Sequence, residues 1–233
     1  MLLNAAIAFG LDFLFGDPVF TLHPTRLIGG LLSRLERIFY GIRNKTLGGG
    51  LLAVSALLAV GGLAVGATVG AVSLARALGL PGWFQSPLLR GFNPLLALLA
   101  FFLFCNRDMI EEARAVYDRL EEGDLPGARG RLGRIVGRDT ESLDQKAAIR
   151  ATVETVSENI VDGFTSPFLY LLLGGLPLAY VFKTASTMDS MFGYRNARYE
   201  KFGKIGARLD DALNFVPALA LGPVIEHLIL IGA

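Results

Sequence analysis

Long stretches without charged side chains constrain this 233-residue chain more than any other feature of its sequence. Residues 46–75, 91–106 and 163–182 contain no Asp, Glu, Lys or Arg, over thirty, sixteen and twenty positions respectively. About 20 apolar residues in a helix cross the hydrocarbon core of a bilayer. A soluble helical core would instead need charged residues on the wet face of each helix. The pattern therefore predicts an all-α fold, a polytopic membrane helical bundle.

The charged residues gather in polar segments, of which 106–162 is the longest. It holds nine Lys or Arg and thirteen Asp or Glu, too many for a hydrocarbon environment. We predict a single integral membrane domain over residues 1–233, with 106–162 as an amphipathic helical insertion on the cytoplasmic face.

Two helices are expected inside this insertion. The first covers 108–122, where apolar residues recur at helical spacing. The second runs from about Leu143 into the 150s and is capped by Thr140 or Ser142. Outside the insertion, the apolar residues 95–105 are expected to form a further span.

The basic segments indicate how the chain is oriented, because loops rich in Lys and Arg stay in the cytoplasm. This rule places 17–45, 106–162 and 183–211 on the cytoplasmic side. The apolar run 163–182 lies between two of these segments and therefore should not cross the bilayer. Its Gly-Gly-Leu-Pro centre predicts the tip of a re-entrant hairpin, which surrounding protein can accommodate. We expect a multi-pass protein of the inner cell membrane with its active face in the cytoplasm.

Composition excludes several classes of partner and chemistry. The net charge of +1 gives no electrostatic reason to expect a nucleic-acid partner. The single cysteine, Cys105, cannot form an internal disulfide, and with two histidines it makes no Cys/His metal cluster. The sequence has no GxxxxGK[ST] loop, so any nucleotide site is not of the Walker type.

The first candidate cluster is a row of charged residues at helical i, i+4 spacing. Glu154, Glu158 and Asp162 follow Arg150 in this row. Like charges at this spacing repel by a few tenths of a kcal/mol, roughly, even in water. A divalent metal such as Mg²⁺, which takes one or two carboxylates plus substrate phosphates, would reverse that repulsion. The alternative is a solvated acidic face balanced by Arg150 and Lys146.

Two further clusters follow the apolar run 163–182. Lys183 stands at its edge, and hydroxyl, acidic and cationic side chains follow up to Asn196, a set of donors suited to phosphate. The alternative is a basic loop that sets topology, with Lys183 reaching to the interface. The next cluster places adjacent acids, Asp210 and Asp211, at the mouth of the last apolar run. Such acids are costly unless paired, which favours a functional role.

A fourth cluster lies near the N-terminus. Asp12 lies within an apolar segment and is therefore a candidate functional residue. Asp17, His23 and Arg26 follow it in the next polar segment. His23 alone is weak evidence, because a lone histidine in a loop is more often structural.

Five motifs in these clusters resemble those of the adenosylcobinamide-phosphate synthase family of cobalamin biosynthesis. They read LDFLFGDP with HPTRLIG, VGRDT, ETVSENIVDG, KTASTMDSMFGYRNARYEKFG and ARLDDALNFVPA. Matching stretches extend from Leu11 to Pro217 in the family's order. Ser186 stands where the family commonly has Asn, and Ile160 stands where Thr is frequent. Family members usually continue past ARLDD with more spans and a Ser-Pro-Asn motif, so we expect a C-terminally short member.

The resemblance implies a membrane-bound, ATP-dependent amide ligase. Such an enzyme joins a carboxylate of adenosylcobyric acid to aminopropanol or its phosphate, giving adenosylcobinamide or its phosphate. ATP and Mg²⁺ are the implied cofactors, and the corrinoid is a substrate. The catalytic residues implied by the resemblance are Glu154, Glu158, Lys183, Asp189, Asp210 and Asp211. The implied metal ligands are Glu154, Glu158 and Asp162.

The same resemblance implies a larger set of substrate-binding residues. They are Asp17, His23, Arg26, Asn159, Thr187, Ser190, Tyr194, Arg195, Asn196, Arg198, Arg208 and Asn214. The implied partners are the corrinoid acid, the amine, ATP and the lipid bilayer. A homo-oligomer, or an association with later enzymes of cobalamin assembly, is a further expectation.

Two other functions compete with the ligase. A non-catalytic membrane relative could serve as a sensor or accessory subunit, and a transporter also carries intramembrane acids and broken helices. Placement of the charges favours an enzyme, because most acids and bases lie in polar segments at one face and few lie in mid-span.

Overall fold

The computed structural model describes residues 1–18, 20–84, 91–137 and 139–231, with the side chains of these residues except 83 and 220–231. In this part of the chain all regular elements are helical, which confirms the predicted all-α class. The α-helices are α1 (Leu2–Phe15), α2 (Pro24–Phe39), α3 (Lys45–Ala77), α4 (Pro94–Phe101), α5 (Asn106–Glu121), α6 (Leu125–Leu132), α7 (Gln145–Ile160), α8 (Ser166–Phe192) and α9 (Lys204–Ile231). A 3₁₀ turn covers Gly82–Phe84, and a π-helical turn, Val161–Thr165, joins α7 to α8.

Polar side chains fix where several helices begin. Asn44, Asn93 and Asp124 each accept a hydrogen bond from a backbone N–H in the first turn of α3, α4 and α6. Asp144 does the same for α7 by accepting from the Ala147 amide at 2.7 Å. The predicted cap of α7 at residue 140 or 142 is therefore wrong by a few positions. Asp144 lies closer to the first turn of the helix, and its carboxylate is the cap.

Two helical stretches of the described chain are long and apolar enough to cross a membrane by length and composition. They are α3 and the stretch Gln145–Phe192, which contains α7 and α8. The 33 residues of α3 extend about 50 Å. Its apolar side chains are largely exposed, and Leu58 and Leu63 are 72% and 73% accessible. Large exposed apolar surfaces of this kind mark contacts with lipid or with other proteins.

The stretch that contains α8 is not a straight rod, because the chain reverses at Gly175. This glycine has φ +66° and ψ −161°, a conformation that is essentially restricted to glycine. The rings of Tyr170 and Phe182 stack with centroids 5.2 Å apart. In a continuous helix these two residues would be about 18 Å apart. The two arms of α8, residues 166–174 and 176–192, therefore form a helical hairpin, as predicted for this Gly-Gly-Leu-Pro sequence.

The N-terminal helix lies beside this hairpin. The side chain of Met1 packs at the tip, next to Gly175. At the other end, Cys105 lies against Gly163 and within electrostatic range of Lys183, at the open end of the hairpin. Helix α1 and the hairpin thus run along each other. Asp17, which follows the C-terminal end of α1, lies near Lys183 at the open end of the hairpin.

Helix α4 corrects one prediction. It has eight residues and extends about 12 Å, less than half of a bilayer core, so 95–105 does not form a span by itself. Asn93 explains where it starts: its backbone N–H donates to Asn4 Oδ1 at 2.9 Å, and its amide group donates to the Ala71 carbonyl. Because these partners are buried, α4 begins deep inside the molecule.

The apolar residues form two cores. The larger core joins α1, α2, α3, α4 and α8, with Leu32, Leu96, Phe104 and Leu176 among its buried side chains. A smaller core lies within the 106–162 segment, where α5, α6 and α7 pack together. Its buried residues are Val116, Ala128, Leu132, Ala148 and Ala151. The helix predicted at 108–122 is confirmed as α5, whereas α2 and α6 were not foreseen.

Candidate functional site

The predicted row of carboxylates extends over two kinds of helix. Glu154 and Glu158 lie on α7, and Asp162 lies in the π-helical turn that follows. Glu158 and Asp162 remain close enough to interact electrostatically. Glu154 and Glu158 are exposed, whereas Asp162 is half-buried at the open end of the hairpin. The three acids therefore differ in their access to solvent.

Lys183 is the cation around which the acids gather. It lies close enough to Asp162, before the hairpin, and to Asp17, after α1, to interact electrostatically with both. Asp189 and Glu158 also act on Asp162. The apolar arms between 163 and 182 therefore return the chain to the place where they began, and Lys183 lies near acids from two distant segments.

Helix α9 contributes Asp210 and Asn214 to the same group of residues. The Asn214 amide donates to Asp210 Oδ2 at 3.1 Å, and the Ser166 hydroxyl donates to Asn214 Oδ1 at 2.6 Å. The side chain of Asn214 also hydrogen-bonds Asp162. One amide thereby ties α9 to both the π-helical turn and the first arm of the hairpin.

Asp210 carries an unsatisfied oxygen in this group. It is buried, and its Oδ1 atom has no hydrogen-bond partner among the described residues. Burial, together with the nearby charges of Asp162 and Asp189, raises the pKa of Asp210 to about 7. Asp210 precedes the apolar part of α9, which begins at Ala212. A cationic ligand at this point would pair with the free oxygen and favour the ionised carboxylate.

The N-terminal cluster lies on the other side of Lys183. His23 Nε2 is 2.7 Å from Asp17 Oδ1, and the imidazole is buried at 4% accessibility. The rings of Phe20 and Phe102 present their edges to it at 5.5 and 5.2 Å. Burial raises the pKa of Asp17 above its ordinary value, although His23 oppositely lowers it. This histidine, weak evidence in the sequence, has an acid as its direct partner.

Asp108 and Asn106 support this cluster from α5. The Asp17 N–H donates to both carboxylate oxygens of Asp108, at 3.3 and 3.4 Å. Asn106 donates its backbone and side-chain N–H groups to Asp12 Oδ2, each at 3.0 Å. Neither residue was predicted, because both read as ordinary residues of an amphipathic helix. Asp12 itself is fully buried and helps to fix where α5 begins.

A cleft of about 250 Å³ opens along α7. It is lined by the 135–137 segment and by Glu154, Thr155, Glu158 and Asn159 of α7. Two of the motifs that carried the resemblance, VGRDT and ETVSENIVDG, therefore meet in space. Arg138 of the first motif lies outside the described residues.

The carboxylates of this site can be compared with the ligands that a metal ion requires. Within the residues that the structure covers, no three His, Cys, Asp or Glu side chains are close enough together to hold a metal ion alone. Mg²⁺ does not require such a cage, since it commonly binds one or two carboxylates plus substrate phosphates. The free oxygen of Asp210, close to Asp162, fits that mode. The metal role of Glu154, Glu158 and Asp162 remains a prediction.

Several predicted substrate residues have structural partners. Arg198 donates to Glu36 Oε1 at 2.9 Å and stacks over Tyr40, while the Tyr199 hydroxyl donates to the same oxygen at 3.0 Å. Asn196 accepts from the backbone N–H groups of residues 198 and 199, which folds the turn between α8 and α9. The substrate roles of Arg198 and Asn196 remain predictions.

The remaining predicted residues lie on α8, on α9 and in the connecting turn, apart from Arg26, which lies on α2. The hydroxyls of Thr187 and Ser190 donate to the carbonyls of Lys183 and Ser186 within α8, which leaves their oxygens able to accept. Asp211 lies close enough to Asp189 to interact electrostatically. The exposed members are Arg26, Ser190, Tyr194, Arg195, Arg208 and Asp211.

Comparison with known proteins identifies the family that carries this arrangement. The family model described as CobD/Cbib protein matches residues 5–225. The chain belongs to the CobD/CbiB family. The residues matched by the family model include the whole polar group described above.

Three curated relatives show the extent of the match. The chain is 37% identical over 222 residues to the cobalamin biosynthesis protein CobD of Clostridium perfringens and 40% identical over 213 residues to that of Geobacter metallireducens. It is 38% identical over 216 residues to the cobalamin biosynthesis protein CbiB of Salmonella typhimurium. These alignments cover 93%, 91% and 91% of this chain but 65%, 63% and 64% of the relatives. The chain thus spans somewhat less than two thirds of their length, and no solved structure matches it.

Proposed function

We propose that this protein acts in cobalamin biosynthesis as an ATP-dependent amide ligase. It would join a carboxylate of adenosylcobyric acid to aminopropanol or its phosphate and so form adenosylcobinamide or its phosphate. Membership of the CobD/CbiB family supports the pathway, since the matched relatives are named cobalamin biosynthesis proteins. The residues at the open end of the hairpin support the type of reaction.

The chemistry explains why such a site needs both acids and cations. A carboxylate is a poor acyl donor because it has no good leaving group, so phosphoryl transfer from ATP first converts it to an acyl phosphate. The amine then attacks the acyl carbon, the C–N bond forms and phosphate leaves. Negative charge develops on the transferred phosphoryl group and must be neutralised by positioned cations. The amine, in contrast, arrives as a cation and is attracted by carboxylates.

One observation carries the proposal: the hairpin returns the chain so that Lys183 lies close to acids from two segments that are distant in sequence, Asp17 and Asp162. In the proposed reaction Lys183 neutralises charge on the phosphoryl group, and the neighbouring carboxylates bind the metal or the amine. Arg195 is exposed in the turn after α8 and is a second candidate for phosphate binding. A lysine that only set topology would not need carboxylates arranged on two sides of it.

Mg²⁺ would be held from the acid side of this group. Asp162 and Asp210 are the best placed, because they are neighbours and Asp210 keeps one free buried oxygen. Glu158 lies close to Asp162 and is the third candidate. When bound, Mg²⁺ would supply positive charge that neutralises the phosphates of ATP.

The membrane arrangement belongs to the same proposal. Helix α3 is long enough to cross the bilayer and exposes apolar side chains along its length. The hairpin arms of α8 extend about 14 and 25 Å, and their tip is apolar, which suits a segment that enters the bilayer and returns. The polar ends of α1, α7 and α8 would then share the cytoplasmic face of a multi-pass inner-membrane protein.

The proposal is tested by assaying the purified 233-residue chain with cobyric acid, Mg-ATP and either aminopropanol or its phosphate. We expect a product whose mass equals that of the acid plus the amine minus water, formed only when ATP and Mg²⁺ are present. Omitting each component in turn is the control. Failure to form the amide with both amines would contradict the proposed function.

A further inference from the structure

The pair formed by Asp17 and His23 has a geometry that simple substrate binding does not require. The imidazole is buried between the edges of two phenylalanine rings, so it has little access to water. Its Nε2 atom lies 2.7 Å from Asp17 Oδ1, an ion-pair contact. The Asp17 side chain is 32% exposed, whereas that of His23 is 5% exposed. A proton can therefore reach the histidine from the site through the aspartate.

The charged groups around the pair place it next to Lys183, the proposed phosphate-binding residue. The charged groups that face Asp17 are His23 at the start of α2, Asp108 on α5 and Lys183 on α8. Lys183 is also close to Asp162, one of the proposed metal-binding acids. A substrate held at Lys183 would thus lie near both Asp17 and the proposed metal-binding acids.

Amide formation requires the amine nitrogen to lose two protons. The amine arrives as an ammonium ion, whose nitrogen has no lone pair for attack. When the C–N bond forms and the C–O bond to phosphate breaks, one proton ends on the departing phosphate. The second proton must go to a base of the protein. Histidine is the side chain whose ordinary pKa lies closest to neutral pH, which suits it to hold such a proton.

Resting on the proposed function, we propose that Asp17 is the catalytic residue that takes this proton from the amine, with His23 as its positioning residue. The carboxylate touches the ammonium group and accepts the proton. The imidazole behind it holds the carboxylate in place and stabilises the proton through Nε2. The partly exposed Asp17 returns the proton to solvent after the product leaves. The pair thus acts only in the second half of the reaction, after the acyl phosphate has formed.

Because the pair acts only after the acyl phosphate has formed, its mutation should impair amide formation and leave acyl phosphate formation unchanged. Acyl phosphate formation needs no amine and can be followed as positional isotope exchange in labelled ATP with cobyric acid and Mg²⁺. Amide formation is followed by product mass with the amine present. In Asp17→Asn, amide formation should fall by about 10²–10⁴-fold, the usual contribution of a general base. Isotope exchange should stay near that of the unmodified chain, and His23→Gln should show the same split.

Rescue separates a proton acceptor from a residue that only maintains the fold. Hydroxylamine is largely unprotonated at neutral pH, so it attacks an acyl phosphate without a base. It should restore turnover, as hydroxamate, in both variants. Asp17→Glu keeps a carboxylate and should form more amide than Asp17→Asn. Asp118→Asn, at an exposed aspartate on α5, is the matched control and should match the unmodified chain in every assay.

The outcomes are distinct. Asp17→Asn with unchanged amide formation, with equal loss of both steps, or without rescue by hydroxylamine overturns the assignment to Asp17. Normal amide formation in His23→Gln overturns the positioning role of the histidine. If the unmodified chain performs isotope exchange but forms no amide with either amine, or performs neither step, the ligase function fails, and the proton-acceptor role fails with it.

Discussion

The substitution Gly175→Ala tests the hairpin on which the site depends. The φ and ψ angles of Gly175 fall in a region that residues with a Cβ atom avoid, at a cost of about 1–3 kcal/mol. The added Cβ would meet Met1 and Pro177 at 3.7 Å, an ordinary contact, so no steric term is added. We therefore expect the free energy of unfolding to fall by about 1–3 kcal/mol, from backbone strain alone.

The sign of this change distinguishes two folds. If residues 145–192 formed one straight helix, Gly175 would have ordinary helical angles, and alanine would stabilise the protein by up to about 1 kcal/mol. The matched control is Gly62→Ala, at a helical position of α3 where an added Cβ meets nothing within 4 Å. This control should be neutral or stabilising.

Unfolding of both variants can be followed by circular dichroism in mixed detergent micelles as the denaturing detergent is increased. The account requires Gly175→Ala to be less stable than the unmodified chain and Gly62→Ala to be at least as stable. A stabilising effect at both positions would refute the reversal at Gly175. Equal destabilisation at both would show that the loss does not come from the hairpin.

Three further substitutions test packing and chemistry. In Gly49→Ala the new Cβ collides with the backbone of Phe202, so the free energy of unfolding should fall by about 1–3 kcal/mol or more in the same detergent titration, and unchanged stability would refute this contact. Lys183→Gln should abolish ligation, measured by product mass, whereas Lys201→Gln, at an exposed lysine, should not; equal activity of the two would remove Lys183 from the site. Glu158→Gln should abolish ligation while the unfolding transition is retained, and an active variant would exclude that acid.

The features that the sequence predicted are those that depend on long, uniform patterns. The charge-free runs indicated helices, and α3 fills the first of them almost completely. The hairpin followed from two independent facts, the basic segments on both sides of 163–182 and the Gly-Gly-Leu-Pro sequence at its centre. Each of these signals extends over many residues, so a local exception does not remove it.

The features that escaped prediction depend on single residues or on distant contacts. A π-helical turn begins at Val161, just before Asp162, and no pattern in the sequence predicts such a turn. The approach of Asp17 to Lys183 joins residues far apart in the chain. Asp108 belongs to an amphipathic helix full of acids, so only the fold separates it from its neighbours.

The central claim is that the acids before the hairpin and the cation after it lie on one side of the membrane. The direct measurement replaces Cys105 by alanine and introduces one cysteine at Glu141 or at Glu200, both of which are exposed. Each variant is then treated with a membrane-impermeant maleimide in intact spheroplasts and in inverted vesicles. The account predicts that both positions react only in inverted vesicles. Labelling of the two positions from opposite sides would contradict it.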